Sequence, residues 1–212
     1  GLEEAGVKPN QGIGITEQSM PLLSQLIACW SEPHRHYHTL RHLQECLQLL
    51  ETWGRTHPLR HEIGVALWFH DAIYDPARSD NEERSARLAT RTLTKVGADA
   101  DQVRTVSRLV RSTRHGARTR RVEGAELMLD IDLAILGSSR ARFEEYERQV
   151  RAEFAHVPDD AFARGRAAFI DSMRARPCLF LTEPGQRLEV RARENLQRSS
   201  LRWQRMAGQD SG

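Results

Sequence analysis

Stretches in which apolar and polar residues alternate are scarce in this chain, and runs of β-branched residues are equally few. Apolar residues recur instead at helical spacing, which excludes a sheet-based architecture and predicts an all-α fold. The three cysteines, Cys29, Cys46 and Cys178, are odd in number and show no C-x-x-C spacing, which argues against a disulfide framework or a thiolate zinc site. They are read as packing residues. No apolar run approaches the roughly 18 residues that span a bilayer, and the N-terminus lacks a basic segment followed by an apolar one. A cytoplasmic location with no membrane association is therefore expected. The formal net charge is only +2, so a long nucleic acid, which calls for a broad positive surface, is an unexpected partner. Any phosphate chemistry must come from a local arrangement.

A chain of 212 residues can be organised around one core, and a single helical domain is predicted over residues 16–208. Residues 1–15 are expected to form a flexible N-terminal segment. The periodicity predicts about eight or nine helices. They fall near 19–30, 39–53, 59–73, 100–114, 124–136, 139–155, 159–175 and 185–206, with one more between Ser79 and Gly97. That helix has the form of a capping box, Ser79 as N-cap and Glu82 three residues on.

Against this background a few polar residues stand out. His34, His36, His38 and His42 crowd the stretch "EPHRHYHTLRHL", and His38 and His42 are four apart, on one helical face. Such pairs also occur on plain surface helices. In "WFHDAIYD" the adjacent His70 and Asp71 end an almost wholly apolar helix, where an unpartnered carboxylate would cost several kcal/mol or more. A partner or a metal is expected there. The segment "LMLDIDLAIL" repeats the pattern with Asp130 and Asp132, and Asp132 is chosen as the further ligand. His42, His70, Asp71 and Asp132 then supply two imidazoles and two carboxylates, a set suited to Mn²⁺, Mg²⁺, Co²⁺, Ni²⁺ or Fe²⁺.

In its order of motifs the chain resembles the HD-domain metal-dependent phosphohydrolase superfamily: His42, "HD" at 70 and 71, then Asp132 in "DIDLAIL". The blocks "HYHTLRHL", "WFHDAIYDP", "SDNEERSA", "LDIDLAILG" and "ARENL" are similar to a bacterial branch of predicted HD phosphohydrolases, over about Trp30 to Leu201. The resemblance implies an HD-type bundle and one or two divalent ions. It also implies hydrolysis of a small phosphate monoester or anhydride, with a nucleotide as one candidate. Stringent-response nucleotide hydrolases of the superfamily carry an acidic pair four and five positions after the His of the dipeptide. Here those positions are Tyr74 and Asp75, so the first acid is replaced.

Further roles are expected around the ligands. Asp75 is a candidate to orient or deprotonate the attacking water, with a helix-terminal residue before Pro76 as its plain alternative. Glu82 is explained by the capping box, so Glu83 is the second catalytic candidate. His38, Arg111, Arg114 and His115 are candidates to hold substrate phosphate. Arg111 and His115 also share a helical stripe with Arg104 and Arg108, which reads equally as a solvated face. Two rival functions use the same residues: an HD-type di-iron oxygenase, with His38 and His115 as extra ligands, and a non-catalytic nucleotide-sensing module.

Overall fold

The computed structural model of the protein describes residues 20–114 and 122–208. Among these residues there are ten α-helices, one 3-10 turn and no strand, as the periodicity predicts. The helices are α1 (Met20–Trp30), α2 (Leu40–Trp53), α3 (Arg60–Phe69), α4 (Asn81–Lys95), α5 (Ala100–Ser112) and α6 (Ala125–Leu133). After the 3-10 turn Ala134–Gly137 come α7 (Arg140–Glu153), α8 (Asp159–Arg174), α9 (Glu183–Gln186) and α10 (Glu189–Gly208). No helix among the described residues is long and apolar enough to cross a membrane.

The helix expected at 185–206 is two, α9 and α10, the one expected at 124–136 gives way to the 3-10 turn after Leu133, and two further differences frame the polar residues of interest. The third helix stops at Phe69 instead of running to 73. The Arg35 guanidinium takes the carbonyls of Asp71 and Ala72, and the Ser85 hydroxyl accepts from the Ile73 N–H. Side chains thus replace the next helical turn. The fourth helix does not use the capping box: Asp80, not Ser79, is the N-cap, and it makes no side-chain cap bond. Its carboxylate is held by Arg78, and the Asn81 amide folds back onto the N–H and C=O of Asp75. The "DNEERSA" block therefore clamps the turn that follows Asp71.

The apolar residues form two clusters. One joins α1 to α6 through Trp30, Leu43, Ile63, Leu67, Leu109 and Met128. The other joins the 3-10 turn, α7, α8 and α10 through Leu136, Phe143, Phe162, Ile170, Leu196 and Trp203. α6 belongs to both: Ile131 packs into the first and Leu133 into the second, so Asp132 between them stands at the seam. Asn195, in the "ARENL" block, secures that junction by donating to the carbonyls of Leu136 and Ser138. Gly137 permits the close approach, because a Cβ there would lie 2.5 Å from the Leu188 Cβ. The second cluster buries an ion pair in which Glu147 accepts from Arg166, Ser199 and Trp203.

The cysteines differ among themselves. Cys46 is buried and Cys29 half-buried, but Cys178 is exposed and so is not a packing residue.

Candidate metal centre

His42 comes from α2, His70 caps the C-terminus of α3, Asp71 begins the turn after it, and Asp132 lies on α6. One ligand atom from each lies within 4.8 Å of the others, so the group can hold a metal ion. His42 Nε2 is 3.2 Å from Asp132 Oδ1; His70 Nε2 is 3.2 Å from Asp71 Oδ2 and 3.5 Å from Asp132 Oδ1. With bonds of about 2.1 Å, neighbouring ligands of one ion are about 3 Å apart and opposite ones about 4 Å, so these separations suit a common cation.

The two imidazoles are almost fully buried, His42 at 2% and His70 at 1% exposure. His70 Nδ1 donates to the Leu67 carbonyl at 2.8 Å, the outer bond by which metal-binding histidines are oriented. Its Nε2 is buried and has no hydrogen-bond partner of good geometry, with Asp71 Oδ2 and Asp132 Oδ1 3.2 and 3.5 Å away. An orphaned ring nitrogen facing two carboxylates and a second imidazole fits a metal better than it fits a proton network. Trp30 fixes the surroundings, donating from Nε1 to the Trp68 carbonyl, with its ring 5.4 Å from that of His70.

The electrostatics agree with the geometry. Burial disfavours a charged His70, yet the Asp71 and Asp132 carboxylates outweigh it and hold the imidazole well above the usual histidine range. Burial likewise opposes ionisation of Asp132, and His42 and His70 override it and hold the carboxyl well below its ordinary range. Asp71 is lowered in the same way by His70 and, less strongly, by His38. The site attracts positive charge. Cys46 sits beside the His42 ring at 3.7 Å, but burial and then the two aspartates push its thiol far up, so it offers no thiolate.

His38 stands next to this group, with Nε2 4.0 Å from Asp71 Oδ2. Its Nδ1 is 2.8 Å from Glu153 Oε2. Glu153 Oε1 accepts from the backbone N–H groups of His36, Tyr37 and His38, while its Oε2 also accepts from the Tyr74 hydroxyl. Burial opposes the Glu153 charge; His38 and the backbone donors overcome it and bring the carboxyl down to about 2. His38 is raised in turn, burial being outweighed by Glu153. Arg35, with its side chain buried, donates to the carbonyls of both His38 and Asp71 and so couples their positions.

A cavity of about 560 Å³ opens beside His38, Asp71 and Asp132. It is also bordered by Arg78, Asn81, Glu82 and Thr113, and by an apolar wall from α7, α8 and the link between them. Several residues singled out in the sequence lie elsewhere. Asp75 accepts from the Ala77 N–H in a local turn and borders a separate depression with His34 and His156. Glu83 is paired with Arg87 and Arg111, and Arg111 is further tied to Ser107, so neither reaches the cavity. Of the two adjacent glutamates it is Glu82 that borders the cavity. Arg114 is exposed and away from the lining. His115 lies outside the described residues. Asp130, two positions before the ligand, accepts from the N–H groups of Leu181 and Thr182 and from the Thr182 hydroxyl, so it anchors the segment before α9.

Arg35, Glu153 and Tyr74 support the site without having been singled out as site residues. Arg35 had a trace in sequence, as one of two arginines, with Arg41, among four clustered histidines. Glu153 had none: it is one of several acids on a highly charged helix, and only the fold brings it to His38. No family model, no curated protein and no solved structure matches this chain.

Proposed function

We propose that this chain is a metal-dependent phosphohydrolase of the HD-domain type, acting on a small phosphate monoester or anhydride. The observation that carries it is the buried, unpartnered Nε2 of His70 set against Asp71, Asp132 and His42. The order and context of these four residues, which resemble the HD pattern, give the reaction class.

His42, His70, Asp71 and Asp132 would hold a divalent ion, which supplies Lewis-acid polarisation of a phosphoryl oxygen and a more acidic water. The chain's own residues do the rest. His38, locked by Glu153 through Nδ1, presents Nε2 to the cavity as a donor to substrate oxygens. Arg78 borders the same space and, with Nε and one terminal nitrogen held by Asp80, would serve phosphate oxygens through its remaining N–H groups, while Glu82 would receive a proton from water. In the net reaction the water oxygen forms a bond to phosphorus and the bond to the leaving oxygen breaks. The leaving oxygen gains a proton, and the products are phosphate and an alcohol or a shorter phosphate.

The test is phosphate release from small phosphoesters and nucleotides with Mn²⁺, Mg²⁺, Co²⁺ or Ni²⁺, comparing wild type with Asp71→Ala. Metal-dependent release by wild type and its loss in the variant support the reading. Tight iron with oxygen consumption and no phosphate release would replace it with oxidation.

A further inference from the structure

The part of the cavity away from the ligand helices poses its own question. Its wall is made by α7, α8 and their link, through Val150, Phe154, Val157, Phe162 and Phe169, and three of these, Phe154, Val157 and Phe169, are only half-buried. Large apolar groups left partly wet in a concave site are what a ligand covers. The one charged side chain on this wall, Arg166, is already engaged by Glu147 and lies over the rings of Tyr146 and Phe169, 5.0 and 4.9 Å from their centroids. It offers no free charge to a substrate. The other polar side chains of the lining lie on the opposite side, where Asn81 is committed to the Asp75 backbone and Thr113 to the Val110 carbonyl, leaving His38 and Arg78 beside the metal ligands.

Resting on the phosphohydrolase reading, we infer that the leaving group of the substrate is an apolar aromatic alcohol. Its phosphate lies at the metal ligands and its ring against the α7 and α8 wall. Rings face rings here: Tyr37, Tyr146, Phe154, Phe162 and Phe169 give edges and faces for offset or edge-to-face contact. A nucleotide would lay its polar base against an apolar wall on which Arg166 is engaged by Glu147 and the unpartnered Tyr37 hydroxyl is buried from the cavity, at a desolvation cost the wall does not offset.

One position tests this without touching the metal ligands. Gly165 borders the cavity on α8, is exposed, and a Cβ built there meets no atom within 4 Å. Gly165→Leu therefore fits the fold, raises helix propensity and narrows the ring pocket. Calorimetric titration of the Mn²⁺-supplemented protein with methyl-, octyl-, phenyl- and 1-naphthylphosphonate, AMP and uncharged 1-naphthol reads the preference directly. Naphthylphosphonate should bind at least about tenfold more tightly than methylphosphonate, in line with burial of a ring, and Gly165→Leu should remove most of that difference. Equal affinity for the methyl and naphthyl compounds, or tightest binding by AMP or octylphosphonate, overturns the assignment and leaves the phosphohydrolase reading intact. If 1-naphthol binds wild type but not Gly165→Leu while no phosphonate binds, the ring pocket stands and the phosphate reading falls. Binding of none of these compounds overturns both.

Discussion

His38 Nδ1 lies 2.8 Å from Glu153 Oε2, a contact made across 115 residues of sequence. It unites the loop before α2 with the end of α7. Because the carboxylate also satisfies three consecutive backbone N–H groups and the Tyr74 hydroxyl, one buried charge sets the whole path of residues 36–38.

Replacing that charge should be costly. Glu153→Gln places a neutral amide, itself a donor, among donors, and is expected to destabilise the fold by about 2–4 kcal/mol in urea unfolding. Metal content should persist, because none of the four ligands is altered. Loss of bound metal in a folded Glu153→Gln protein would show that the ligands depend on this carboxylate more directly than the geometry indicates.

The same residue predicts an acid limb of stability. Its carboxyl is depressed from 4.5 to about 2, so its contribution is fully present above pH 4.5 and is lost as the pH falls toward 2. The drop corresponds to roughly 3 kcal/mol. Urea midpoints of wild type and Glu153→Gln, compared at pH 6, 4 and 3, should converge as the pH falls. A constant gap across that range would contradict the assignment.

The two aspartates of "LDIDL" should separate cleanly. Asp132→Asn is expected to remove most of the transition metal found by elemental analysis and to abolish the stabilisation on adding Mn²⁺, which for wild type is about 2.7 kcal/mol at a hundredfold excess over Kd. Asp130→Asn should keep the metal and lose about 1–3 kcal/mol of stability, because backbone donors at Leu181 and Thr182 lose a charged acceptor. The opposite pattern would reverse the ligand choice.

Arg166 and Glu147 form a pair whose removal is asymmetric. Arg166→Met leaves a carboxylate buried with only Ser199 and Trp203 and should cost about 3–5 kcal/mol, whereas Arg166→Met with Glu147→Leu should recover much of that loss. A double-mutant cycle by chemical denaturation measures the coupling, and additive losses would place the pair's strength elsewhere.

The sequence was most informative where periodicity and burial conflict. His70 and Asp71 were legible because they interrupt an apolar helix, and Asp132 because its neighbours Ile131 and Leu133 are core residues. Local chemistry was less so. A capping box from Ser79 to Glu82 satisfies a local pattern, but Arg78 claims Asp80 and Asn81 turns back to Asp75, so tertiary clamping of the preceding turn overrides it. That displacement also exchanges the acids, sending Glu83 to Arg111 and leaving Glu82 at the cavity. The arginines of α5 have the exposure of a solvated face at Arg104, Arg108 and Arg111, which helical phase alone had already offered as one reading.

Asp132 occupies a single position between two residues that belong to different packing clusters, and this fixes when the site can exist. As the chain leaves the ribosome, His42, His70 and Asp71 emerge with α1 to α3, but the ligand that closes the set follows 61 residues after Asp71 (132 − 71). The anchor for His38 comes later still. A nascent chain therefore carries its metal-binding histidines and first acid uncompensated until α6 has been made, and competence to bind an ion waits for Asp132.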